Sequence, residues 1–175
     1  MAERATIRLA ATADAAALAD FAERCFRDTF GPDNRAEDMD YYVATTFGAE
    51  YQRADIAEPR GAVFLLEWDS AIVGYAQLRR GCACIASEAV TSVELKRFYV
   101  ASAWHGHGLA QRLMQRALRY ASECGADVIW LAVWEHNPRA ISFYRKFGFA
   151  EIGRQSFLLG SDDQTDMIMS RAVRE

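Results

Sequence analysis

No apolar run in this chain approaches the ~20 residues that a membrane-crossing helix needs, so no membrane partner is expected. The first twenty residues carry acids early and lack an uninterrupted apolar core. They do not read as a secretory signal, and a cytoplasmic location follows as the expectation. Cys25, Cys82, Cys84 and Cys124 do not suggest a disulfide framework in a chain of this size. His105-x-His107 and Cys82-x-Cys84 lack the ligand spacing of a zinc site, and no second pair lies nearby in sequence, so no metal is expected. Basic residues are in deficit: the formal net charge is −4. That speaks against a nucleic-acid binder, which wants a basic face, and is compatible with a cationic small substrate. Internal repeats, low-complexity tracts and linkers are also absent. With 51% hydrophobic and 25% charged residues, the 175 residues read as one soluble domain spanning 1–175.

What is present is a clear succession of periodic segments. Residues 5–10 alternate and predict a strand. Thr12 is a candidate cap for the helix whose apolar positions are Leu18, Phe21, Ala22, Cys25 and Phe26. Gly31-Pro32 breaks that pattern. Asn34 and Glu37 then have the spacing of a capping box for a helix carrying Met39, Tyr42, Val43 and Phe47, with Gly48 at its end. Residues 61–68 and 71–79 predict strands joined by a tight turn at Asp69-Ser70. Residues 81–89 are weakly patterned and predict a loop. A third strong strand covers 92–100. A helix follows with its apolar face at 109, 113, 117, 120 and 124. Residues 127–134 form a nearly continuous apolar run, suited to a strand buried on both faces. Asn137 and Pro138 open a short helix that Gly148 closes. Two strands end the chain. The order β-α-α-β-β-β-α-β-α-β-β predicts an α/β (α+β) fold with a mixed sheet and helices on both faces.

The informative junction is His105-Gly106-His107-Gly108-Leu109-Ala110, between a strand and a helix. Glycines without a Cβ let an anion approach the backbone, and the first amides of a helix have no partner within it. Such a turn suits a pyrophosphate. It is not a Walker loop, because Gly-Lys-Ser/Thr is missing, nor a dinucleotide fingerprint, because the third glycine is absent. A tight turn with no ligand would leave the same local pattern.

Residues 93–149 resemble the core of the GNAT superfamily of acyl-CoA-dependent N-acetyltransferases. The resemblance rests on two motifs: the glycine turn just described, and Asn137, Ala140, Tyr144, Gly148 and Phe149 in Asn-x-x-Ala-x-x-x-Tyr-x-x-x-Gly-Phe. His105 departs from the family's Gln or Arg; the contact there is mainly backbone. Residues near both ends are further similar to the PaiA-like spermidine/spermine N-acetyltransferases of bacteria. The resemblance implies a mostly antiparallel sheet with one splayed strand pair, acetyl-CoA as co-substrate, an amine acceptor and a homodimer.

It also assigns roles. Phe98, Tyr99 and Val100 would hold the pantetheine arm as an added strand, with the Val100 N–H near the acetyl oxygen. His105, Gly106, His107, Gly108, Leu109 and Ala110 would surround the pyrophosphate. Tyr144 is the candidate acid for the departing thiolate; a core tyrosine beside Ile141 and Phe147 is the plain alternative. Asn137 would bond the carrier's amide, or simply cap its helix. Lys146 would reach a carrier phosphate, or simply be solvated. Glu94 and Glu135 are the candidate bases; the position where relatives often carry Glu is Ala132 here, so a water chain or a passing carboxylate is the alternative. Asp33, Glu37, Asp38, Asp40, Asp162, Asp163 and Asp166 either steer a polyamine or face solvent. Trp130 and Trp134 read as core. An acetyltransferase for a peptide N-terminus, an amino acid or an amine drug, and a non-catalytic acyl-CoA-binding module, remain alternative functions.

Overall fold

The computed structural model describes residues 4–82 and 91–173. Strand β2 (Gly61–Trp68) shows how the fold is organised. Ala62, Phe64 and Leu66 enter one hydrophobic cluster, and Val63 and Leu65 enter another. A strand with apolar side chains on both faces must be covered on both, so helices lie above and below the sheet. Helix α4 (Leu109–Glu123) buries Leu109, Leu113, Met114, Ala117 and Ala121 in the first cluster. Helix α1 (Ala15–Phe30) buries Leu18, Phe21, Ala22, Cys25 and Phe26 in the second, with Met39 and Val43 of α2 (Ala36–Thr46).

The seven strands run in the order β1-β2-β3-β4-β5-β7-β6. Here β1 is Ala5–Leu9, β3 Ala71–Arg80, β4 Ser92–Val100, β5 Val128–Trp134, β6 Ala150–Leu159 and β7 Asp162–Ala172. Every neighbouring pair is antiparallel except β4 and β5, which are joined through α4. This is the mixed sheet that the element order predicted and the mostly antiparallel one that the resemblance implied. The Asp69-Ser70 turn has positive φ at both residues, 47° and 66°, as a two-residue hairpin requires.

Two local expectations are corrected. Thr12 does not cap α1: it opens a short 3-10 turn, in which the Asp14 carboxylate accepts the Ala11 N–H at 2.7 Å and is itself held by Arg8. Asn34 and Glu37 do not form a capping box. Arg35 occupies the N-cap, the Asn34 amide donates to the Phe30 carbonyl at 2.7 Å, and Glu37 pairs with Arg35. Gly48 directly follows Phe47, the C-cap of α2, so that helix ends where expected, and the same glycine is the N-cap of a further helix, α3 (Ala49–Ala57), absent from the expected order. Most of the 81–89 loop expected from the sequence, with Cys84, lies outside the described residues. No helix among the described residues is long and apolar enough to cross a membrane.

Candidate active site

Strands β4 and β5 pair only over Ser92–Glu94 and Val128–Trp130. Beyond that point they diverge, β4 to Val100 and β5 to Trp134, and a cleft of about 720 Å³ opens between them. A bulge in β4 lies just beyond the last paired residue. Gln77 faces Arg97 and Leu78 faces Leu95, so Lys96 is the extra residue on β4.

The backbone register decides which groups face the cleft. The Ala101 N–H donates to Val73 of β3 at 2.9 Å. Main-chain groups alternate along an antiparallel strand, so Tyr99 also turns its polar groups toward β3, and Phe98 and Val100 turn theirs toward the gap. The Val100 carbonyl is already taken by His105 Nε2 at 2.8 Å. Among the described residues, the Phe98 amide and carbonyl and the Val100 amide therefore form the free edge. Tyr99 belongs to the other half of the site: its ring stacks on Tyr75 at 5.6 Å.

At the mouth, Gly106 and Gly108 adopt φ of +82° and +78°, and a Cβ at either would meet open space. The turn thus leaves room over its own backbone at the start of α4. The chain has the geometry of an anion cradle, made of backbone rather than side chains. Leu109 is buried and contributes only main chain, and His107 is exposed and lies edge-on to Trp104. His105, Gly106 and Ala110 line the cleft. The His105 ring is a strut. Arg139 Nη1 lies 2.6 Å from Nδ1. A carbonyl only accepts and a guanidinium only donates, so the neutral tautomer with its proton on Nε2 satisfies both partners.

Helix α5 (Pro138–Lys146) forms the opposite wall. Asn137 Oδ1 accepts the Ala140 N–H at 3.1 Å, which confirms the cap. That bond uses the oxygen and not the Nδ2 donors, and Asn137 lines the cleft, so the two roles expected for it are compatible. Tyr144 is 8% exposed, lines the cleft and lies edge-on to Phe98 at 6.3 Å. Its phenol makes no hydrogen bond within the described residues, and burial pushes its pKa above the ordinary value. Lys146 is exposed at the cleft's edge.

The face of the cleft toward α1 and α2 is aromatic. Phe26 stacks on Tyr42 at 4.9 Å, and Phe30 meets Trp134 edge-on at 5.9 Å. Trp134 is thus a wall of the cleft, whereas Trp130 is core as expected. Beneath them Arg97, 10% exposed, bonds Asp55 at 3.1 Å and Gln77 at 3.0 Å and lies 4.9 Å over the Phe47 ring. Asp166 of β7 is the acid on this wall. It is 9% exposed, has no hydrogen bond or ion pair within the described residues, and burial pushes its pKa up to about 6.

The other acids are elsewhere. Glu94 sits on the still-paired part of β4, where its charge falls on the Cys82 thiol, and it does not line the cleft. Glu135 is paired with Arg154 at 2.8 Å. Asp40 pairs with Arg27, and Asp38 accepts from the Ser161 backbone. Nothing in the sequence pattern marks Arg139 or Arg97, and Asp166 stands there among acidic neighbours. Its best signal was position: Asp166 is a single acid directly before the apolar run Met167-Ile168-Met169.

Residues 16–149 match the acetyltransferase (GNAT) family. A Mycobacterium tuberculosis protein named an uncharacterized N-acetyltransferase is 35% identical over 164 residues, covering 91% of this chain and 98% of that protein. A Lactobacillus delbrueckii subsp. lactis protein of the same description is 32% identical over 148 residues, 85% of this chain and 86% of its own. The spermine/spermidine N(1)-acetyltransferase of Bacillus subtilis is 30% identical over 66 residues, 37% of this chain and 43% of that enzyme. Among solved structures, the PaiA N-acetyltransferase of Thermoplasma acidophilum in complex with coenzyme A superposes with a TM-score of 0.77 at 19% identity, over 96% of this chain and 98% of that one.

Proposed function

The chain belongs to the acetyltransferase (GNAT) family, and from that premise we propose that it transfers acetyl from acetyl-CoA to the primary amine of a polyamine such as spermidine or spermine. The observation that carries the reading is the free edge of β4. It faces Tyr144 across a cleft whose mouth is the Gly106–Gly108 turn.

The turn's amides hold the diphosphate of the co-substrate, with Arg139 and Lys146 as the cations at the same mouth. The Phe98 and Val100 main chain aligns the pantetheine arm as an added strand. The Val100 N–H meets the negative charge that develops on the acetyl oxygen, an interaction of about 3 kcal/mol when pre-aimed. Tyr144 gives its proton to the departing thiolate. Its raised pKa keeps it in the donor form at every working pH, at some loss of driving force.

The polyamine class draws support from the Bacillus subtilis relative and from the unpaired Asp166 carboxylate at the acceptor end. The aromatic wall favours a second reading, in which the amine is borne on an apolar or aromatic body. A panel of polyamines, aromatic amines, amino acids and short peptides, assayed with acetyl-CoA for free thiol, separates the two. Spermidine or spermine should give the highest kcat/KM. Turnover confined to the aromatic amines reverses the assignment. Tight coenzyme A binding with no thiol from any amine removes catalysis.

A further inference from the structure

Among the described residues that line the cleft, Asp166 is the one acid, and by sequence it reads as no more than a steering or a solvated charge. We propose that Asp166 is the base of the reaction: it binds the ammonium of the acceptor and takes its proton before attack. The inference rests on the acetyl-transfer reading above and adds the residue that makes the amine nucleophilic.

The geometry comes from sheet register. Trp134 faces Asp166 across β5 and β7, and Ala132 faces Ile168. Met167 and Met169 enter the cluster beneath α4 and α5, so Asp166, one residue out of phase, projects to the opposite face, where Phe30 and Trp134 wall the cleft. Ala132 stands diagonally opposite on the same face, and its single methyl leaves space before the carboxylate. Asp166 is more than nine-tenths buried, lines the cleft and has no hydrogen bond or ion pair among the described residues. A buried carboxylate normally finds a partner, and this one faces the volume that an acceptor would fill.

The surrounding groups leave it free. From α2 the phenol of Tyr42 feels its charge. From β6 its register partner is Gln155, and from β5 it is Trp134, neither of which titrates. Lys96 and Arg97, the cations of β4 that line the cleft, are both committed to Asp55, and Arg97 also to Gln77. Burial alone raises the Asp166 pKa to about 6, so the group is ionised near neutral pH and basic enough to work.

The step balances. The acceptor arrives as R–NH3⁺, and one N–H proton passes to the Asp166 carboxylate. The freed lone pair forms the C–N bond at the thioester carbonyl, and the C–S bond breaks. The thiolate takes the Tyr144 proton, and the surplus proton on nitrogen returns to the phenolate. The carboxylic acid at Asp166 releases its proton to solvent.

The test compares wild type with Asp166→Asn on two acceptors: an ordinary primary amine and a fluorinated ethylamine that is already neutral at neutral pH. The Asn variant should lose about 100-fold in kcat/KM on the first and only a few-fold on the second. The acidic limb of the wild-type profile should vanish, and calorimetric coenzyme A binding should be unchanged. An equal loss on both acceptors, or an acidic limb that stays, overturns the proposal. Asp166→Ala serves as the second variant should the Asn protein fail to bind coenzyme A. A wild type that releases no thiol from any amine overturns acetyl transfer itself. A working wild type beside an equally active Asp166→Asn enzyme overturns this assignment alone.

Discussion

The guanidinium of Arg139 sits 2.6 Å from Nδ1 of His105, and Nε2 of the same ring reaches the Val100 carbonyl at 2.8 Å. One imidazole thus ties the end of β4 to the first turn of α5, across the mouth of the cleft. Where relatives carry Gln or Arg, this chain uses a ring with one donor and one acceptor, and so fixes Arg139 in place. His105→Ala should weaken coenzyme A binding about 3- to 10-fold by releasing Arg139 and fraying the end of β4, a loss of about 1 kcal/mol for the bonds removed. Calorimetry with coenzyme A measures it. His105→Gln, which also offers one donor and one acceptor, should recover much of the affinity; equal loss in both variants would dismiss the strut.

Gly108 is the N-cap of α4 with φ +78°, a conformation that costs an ordinary residue about 1–2 kcal/mol. A Cβ there meets no protein atom within 4 Å, so strain and not collision is the folding penalty. The space it would fill is the space of the phosphate. Gly108→Ala should therefore lower the melting temperature modestly and raise the coenzyme A dissociation constant by at least about 10-fold. Unchanged affinity beside the expected stability loss would mean that the turn is only a turn.

These two sites show what the sequence carried and what it did not. The glycine turn, the Asn137 cap and both flanking strands were legible because each depends on local spacing. Helix α3 was not, because Gln52 is its one buried residue among those described and no apolar stripe marks it. The α1 and α2 caps differ from those expected because 3-10 turns intervene, and turn chemistry hides which residue stands at a helix end. Glu94 suits a base by residue type, but the strands begin to part only beyond it, and sequence does not say where a sheet splays. Asp162, Asp163 and Asp166 look alike in sequence. The first two lie at the exposed start of β7, and Asp166 lies where that strand turns inward.

Tyr144 tests the chemistry. Its phenol lies in the cleft without a hydrogen bond among the described residues, so removing the hydroxyl disturbs little else. Tyr144→Phe should lower kcat about 100-fold, the usual worth of a positioned acid, with coenzyme A affinity within about 2-fold of wild type. Because burial raises the phenol pKa, no basic limb from Tyr144 should appear in the wild-type kcat profile below about pH 10. Full turnover by the Phe enzyme returns Tyr144 to the core.

The carboxylate that makes the amine reactive should also make the protein less stable. In the unfolded chain Asp166 has the ordinary value of 3.8, and in the folded protein about 6, so the folded state binds its proton more tightly. Below the lower value both states are protonated, and the residue costs nothing. As pH rises from 3.8 through 6 the unfolded chain gives up its proton first, and stability falls; above about pH 6 the penalty is complete. The cleft is open to water, so a penalty of about 1–2 kcal/mol is expected rather than the full linkage value. Asp166→Asn removes it. The variant should melt higher than wild type at pH 8, by about 2–4 °C per kcal/mol for a chain of this size, and the difference should narrow by pH 4. Melting curves at the two pH values decide it. A variant that is less stable than wild type at pH 8 would mean that the carboxylate supports the fold, and a residue that supports the fold has no need of a substrate to explain its burial.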